Sequence, residues 1–129
     1  SLEAIPDELL PHIESPEIKR KVLEVKEIVL SGGSLREAIK IIGNGVLAHE
    51  STAMALYLAI LSKGNPIKAI ELAIQAGGDT DTIGAMAGAI SGACSGTEYL
   101  PQGIVEKLEC YERIVSLAKE LYNLFRRTY

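Results

Sequence analysis

The sequence predicts an all-α chain, on three observations. Apolar residues recur at three- and four-residue spacing in almost every segment, alternating β-branched runs that argue for strands are almost absent, and glycine, asparagine and proline punctuate the chain at intervals suited to short helices. Size and composition agree: 129 residues make one domain, and 47% hydrophobic with 23% charged residues is the make-up of a folded chain, not a disordered one. Residues 1–129 are therefore read as a single all-α domain, without internal boundary, repeat or low-complexity tract.

Ser15-Pro16-Glu17 has the form of a cap followed by a first-turn proline. Ile18, Val22, Val25 and Val29 then recur at helical spacing as far as Gly32-Gly33, which predicts a helix over about 16–30. Ser34 and Glu37 have capping-box spacing and open a short helix ending near Ile42, with Gly43-Asn44-Gly45 as the turn that follows. From Glu50 to Ser62 no charge follows the first residue, and apolar side chains point in every direction, so this helix is expected at the centre of the core. Gly64-Asn65-Pro66 ends it and starts the next, whose Ile67, Ile70, Ala73 and Ile74 form the expected inner stripe before Gly77-Gly78. From Ile83 to Gly96, glycine recurs every fourth residue, at Gly84, Gly88, Gly92 and Gly96. Each interior glycine costs a helix roughly 1 kcal/mol against alanine, and the expected offset is a bare face on which another helix packs closely. After Pro101 a turn leads to a last amphipathic helix with Ile114, Leu117, Leu121, Leu124 and Phe125 as its inner face.

Composition also narrows function. Thirteen basic against seventeen acidic residues give a net charge of −4, and no basic cluster beyond Arg126-Arg127 offers a stripe for phosphates, so nucleic acid is not an expected partner. No stretch reaches the roughly 18 apolar residues of a membrane span, and the start has no basic segment leading into an apolar one. Cys94 and Cys110 lack the close pairing of zinc ligands or a redox motif; they read as buried or half-buried thiols of a cytoplasmic, reducing environment.

The chemistry concentrates in Gly77-Gly78-Asp79-Thr80-Asp81-Thr82, six small or oxygen-bearing residues between two apolar helices. Helix capping explains one such side chain, because a carboxylate at a helix N-terminus satisfies free N–H groups and the dipole. A second Asp two residues on adds like-charge repulsion, best tolerated with a hard cation between the two, such as Mg²⁺. By spacing, capping and a metal site both stand. An EF-hand loop begun at Asp79 fails, because Ile83 and Ile90 fall at ligand positions. A phosphatase-type Asp-x-Asp site needs a preceding strand, whereas residues 67–74 have helical periodicity, so that reading stands only as a weak alternative.

Taken together, Gly77-Gly78-Asp79-Thr80-Asp81-Thr82-Ile83, the following Met86-Ala87-Gly88-Ala89-Ile90 and Gly92-Ala93, and the upstream Gly43-Asn44-Gly45-Val46, Ala48-His49-Glu50-Ser51 and Ala55-Leu56-Tyr57 resemble the ADP-ribosylglycohydrolase family, over about residues 35–124. The resemblance implies an all-α bundle of that type around two magnesium ions, with manganese as an alternative, that hydrolyses the bond between ADP-ribose and a protein side chain. By position it implies that Asp79, Asp81 and Thr82 are metal ligands, that Asp79 also orients the attacking water, and that Asn44 and Val46 lie against the adenosine end of the substrate. On spacing alone Asn44 reads equally as a left-handed turn residue. His49 is read as structural, and so is Glu50, whose other reading is a group supporting the metals.

The chain departs from the family pattern in having Thr52-Ala53 where Val-Pro is usual, and above all in length. It begins with Ser1 and contains no match to the family's N-terminal Thr-Asp-Asp ligands, so the resemblance implies a C-terminal half that works with a missing N-terminal half and is inactive alone. Its expected partners are that half and ADP-ribose or an ADP-ribosylated protein, and the bare glycine face is expected to receive a helix from that half or from another copy of this chain. A crystallin-like structural relative or a non-catalytic ADP-ribose-binding relative is the alternative. Thr80 and Thr82 resemble the serine-directed and nitrogenase-associated branches more than the arginine-directed one, and the acceptor stays open.

Overall fold

A computed structural model describes residues 1–128, and every regular element among them is helical. The helices are α1 (Ile5–Leu9), α2 (Pro16–Ser31), α3 (Leu35–Ile41), α4 (Ala48–Leu61), α5 (Pro66–Ala76), α6 (Thr80–Ser95), α7 (Gln102–Val105) and α8 (Tyr111–Thr128). Single 3-10 turns flank α1 at Leu2–Ala4 and Leu10–His12. The chain divides into two compact units, Ser1–Tyr99 and the residues from Leu100 onward.

The first unit is built around α4, which packs against α2, α5 and α6, while α5 lies along α6. Local chemistry starts α2, α3 and α5 where the sequence indicates. Ser15 Oγ accepts the N–H of Ile18 at 3.3 Å, Asn65 Oδ1 accepts that of Lys68 at 3.1 Å, and Ser34 with Glu37 completes a capping box. The α2 stripe buries Val22, Val25 and Ile28, and α4 buries every residue from Ala53 to Ile60, as a helix apolar on all sides must. Ile83 and Ala87 of α6 complete the core.

At the centre, Tyr57 is buried and donates its hydroxyl to the Gly33 carbonyl at 2.9 Å, fixing the end of α2 to α4. Tyr57→Phe is expected to lower stability by about 1 kcal/mol through the unpaired carbonyl, measured by urea unfolding. Burial holds the Tyr57 phenol above its usual value of 10.0. The neutral form is therefore favoured by folding, so the parent should lose stability as pH rises past 10, and the Phe variant should lose less.

Four expectations are corrected. The buried residues of α5 are Pro66, Ala69, Ala73 and Ala76, while Ile70 and Ile74 are exposed. The cause is α6: a Cβ at Gly84 would lie 3.7 Å from Ala73, and one at Gly88 would lie 3.3 Å from the Ile70 side chain, so the glycines let α5 and α6 approach closely. For the same reason, the Gly84 and Gly88 part of the bare face receives α5 of this chain, not a helix from elsewhere. Both cysteines are exposed instead of buried. In the second unit α8 keeps its apolar side half or more exposed, from 51% at Ile114 to 69% at Leu121, because a lone amphipathic helix cannot bury its own stripe. No described helix is long and apolar enough to cross a membrane.

Candidate metal centre

Two loops meet at the N-terminal end of α6. The first, residues 43–47, leaves α3, whose C-terminal carbonyl at Ile41 accepts the buried Lys21 ammonium at 2.6 Å. That charge suits the negative end of the α3 dipole and fixes where the loop begins. The second loop, residues 77–79, joins α5 to α6.

Asn44 holds the two loops together. Its side-chain amide donates to the carbonyl of Ala76, the last residue of α5, at 2.7 Å, and its own carbonyl accepts the Asp79 N–H at 2.9 Å. These two bonds bracket Gly77 and Gly78. The approach is so close that a Cβ on Gly78 would overlap the Asn44 carbonyl oxygen, and Gly78 also has φ +71°. Only glycine meets both demands, which is the physical reason for the second glycine of the motif. Asn44 is not the left-handed residue of its loop; Gly43 is, with φ +90°.

The motif itself forms the first turn of α6. Asp79 occupies the cap position, half-buried, yet its side chain makes no capping hydrogen bond. The Asp79 carboxyl is thus not consumed by a capping hydrogen bond. Thr80 Oγ1 donates to the Gly78 carbonyl at 3.5 Å. Asp81 and Thr82 are exposed. The neighbouring Asp79 side chain, followed by the N–H groups of Thr82 and of Asp81 itself, holds the Asp81 carboxyl below the usual carboxylate range. Two carboxylates and a hydroxyl within one turn are hard oxygen donors of the kind Mg²⁺ takes, and they fit as part of a coordination set. Among the described residues no group of three or more His, Cys, Asp or Glu gathers to hold a metal.

The residues picked out from the sequence thus fall into two groups. Asp79, Asp81 and Thr82 share the start of α6, and Asn44 joins them through Asp79. Val46 lies on the same loop as Asn44, 79% exposed. Glu50, read from the sequence as structural with a metal-supporting role as the other reading, touches the first loop: its Oε2 accepts the Gly45 N–H at 3.1 Å, and a Cβ on Gly45 would lie 2.6 Å from that oxygen. The signal was the pair of glycines at 43 and 45 a few residues before an acid. A strand before Asp79, which the phosphatase alternative required, is replaced by helix α5.

The ADP-ribosylglycohydrolase family model matches residues 1–129. The chain is 36% identical to the ADP-ribosylhydrolase ARH3 of Bos taurus and 35% identical to that of Homo sapiens, in each case over 71% of this chain and 28% of the relative. An uncharacterised protein of Archaeoglobus fulgidus is 31% identical over 97% of this chain and 40% of its own length. The chain therefore spans less than a third of the length of the two ADP-ribosylhydrolases. No solved structure matches. An all-helical fold, a Gly-Gly-Asp-Thr-Asp-Thr turn latched by Asn44, and a family match over residues 1–129 lead to one assignment: the chain belongs to the ADP-ribosylglycohydrolase family.

Proposed function

We propose that this chain supplies the C-terminal part of a magnesium-dependent centre that hydrolyses the glycosidic bond between ADP-ribose and a modified protein side chain. The observation that carries the reading is the Asp79 carboxyl, placed at a helix cap without capping it and beside a second carboxylate. Asp79, Asp81 and Thr82 would hold the metal, and a partner set from the rest of the domain would complete its coordination. When bound, the ion supplies the charge that orients the ribose hydroxyls and activates water for attack at an oxocarbenium-like anomeric carbon.

This chain's own residues do the positioning. Asp81, whose carboxyl is held below the usual carboxylate range by the Asp79 side chain and the N–H groups of Thr82 and Asp81, is ionised and ready to accept a cation at neutral pH. Asp79, fixed through its backbone by Asn44, orients the attacking water. The exposed Val46 and its neighbour Asn44 lie against the adenosine end of ADP-ribose. The similarity to the bovine and human ADP-ribosylhydrolases supports the substrate class.

Metal removal tests this. The whole protein, with the remainder of its domain, is expected to release ADP-ribose from an ADP-ribosylated protein in Mg²⁺. Release should stop in excess EDTA and return on adding Mg²⁺ or Mn²⁺. Release that continued unchanged in EDTA would end the metal-centre reading.

A further inference from the structure

We propose that Glu50 is a positioning residue for the Asp79–Asp81 turn, acting through the loop at residues 43–45; the inference rests on the reading of that turn as a metal centre. Glu50 lies in the first turn of α4, where an acid is ordinarily explained by the helix dipole. Its contacts point to a different role. The carboxylate reaches out of its helix to the Gly45 N–H at 3.1 Å, and it fills the space where a side chain on either loop glycine would stand: a Cβ on Gly43 would lie 2.7 Å from the Glu50 carboxyl carbon, and one on Gly45 2.6 Å from Oε2. The loop is shaped around this carboxylate. Asn44 stands between those two glycines, and its carbonyl and amide bond Asp79 and Ala76 on either side of the second loop.

The links form one continuous path: Glu50 fixes Gly45, the Gly43–Gly45 loop fixes Asn44, and Asn44 fixes the backbone of Asp79, whose carboxyl would be a metal ligand. Each link is a hydrogen bond or a contact that a Cβ would close. Second-layer groups of this kind set the affinity of the ligands they orient.

Two substitutions separate reach from charge. Glu50→Gln loses the charge but keeps an oxygen at the same length for the Gly45 N–H. Glu50→Asp keeps the charge in the first turn of α4 but withdraws the oxygen by one methylene. Amide hydrogen exchange of Asp79, read by NMR against Val25 and Leu58 as internal references, is expected to be at least tenfold faster in Glu50→Asp and within twofold of the parent in Glu50→Gln. Any other order overturns the inference. In particular, exchange that follows charge marks Glu50 as a dipole partner only. If Glu50→Asp does not fold, Gly45→Ala presses on the same contact with Glu50 intact, and an unchanged Asp79 amide there overturns the proposal equally.

Mn²⁺ titration of the intact protein judges the two readings apart. A parent that binds no Mn²⁺ refutes the metal centre and leaves the exchange result standing. A parent that binds, with Glu50→Asp binding as tightly, refutes positioning for the metal. The expected result is a Mn²⁺ dissociation constant roughly tenfold higher in Glu50→Asp and unchanged in Glu50→Gln.

Discussion

Asp81→Asn in the whole protein is expected to slow ADP-ribose release by about 10³-fold while leaving the fold in place. The two halves of that expectation have separate causes. Asn has the shape of Asp but not its charge, and a hard cation takes its affinity from ionised oxygens, so the substitution removes a ligand without moving an atom of the backbone. Losing one preorganised electrostatic contact to the reacting centre lowers turnover by roughly 10²–10³-fold, and a lost metal sets the effect at the upper end. The fold is spared because Asp81 is exposed and packs against nothing in the core. The helix loses one favourable first-turn charge, and a change in Tm of only about a degree or two is expected. The comparison is made at saturating Mg²⁺ with parent and variant prepared alike. Equal rates of release would remove Asp81 from the chemistry.

Sequence and structure agree most closely where chemistry is local. Ser15, Ser34 and Asn65 each cap the helix that their spacing marks, because a capping bond is made within three residues and needs no tertiary partner. The all-apolar run of α4 could only be a central helix. What the sequence hid depended on distance in space. Ile70 and Ile74 looked like an inner stripe because hydrophobicity says which residues prefer burial, not which neighbour is near. The glycines of α6 bring α5 so close that alanines take the buried positions. The apolar stripe of α8 is equally legible, yet a stripe needs a surface to cover it.

The candidate centre shows the same division. Asp79, Asp81 and Thr82 stand within four residues, and their pattern alone raises the question of a cation. Whether Asp79 makes a capping bond could not be read from a pattern in which caps and ligands are the same residue types; in the fold its side chain makes none. Asn44 is 32 residues from Ala76. No spacing rule links them, so its part in holding the second loop emerges only when the loops are in place. For Glu50 the sequence offered both readings and favoured the structural one, since an acid in the first turn of a helix already has a sufficient explanation.

Gly78→Ala is expected to be the most damaging single-methyl change in the chain. At φ +71° an L-residue pays a backbone penalty of roughly 1–2 kcal/mol. The added carbon would also overlap the Asn44 carbonyl, and backbone does not yield as a flexible side chain does. To admit it, the two loops must part. That breaks the Asp79 N–H bond to Asn44 and the Asn44 amide bond to Ala76, each contributing about 1 kcal/mol. The sum is about 3–4 kcal/mol, a fall in Tm of roughly 10 °C or more for a chain of this size. Gly92→Ala gives the contrast within one experiment. A Cβ at Gly92 meets nothing within 4 Å, and the residue lies inside α6 with an ordinary backbone, so alanine there should stabilise this chain by about 0.5–1 kcal/mol. Thermal unfolding of the two variants side by side should thus move Tm in opposite directions. A Gly78→Ala chain that melted with the parent would mean that the loops carrying Asn44 and Asp79 do not dock as described. The candidate centre would then have lost the contact that fixes Asp79 at the start of α6.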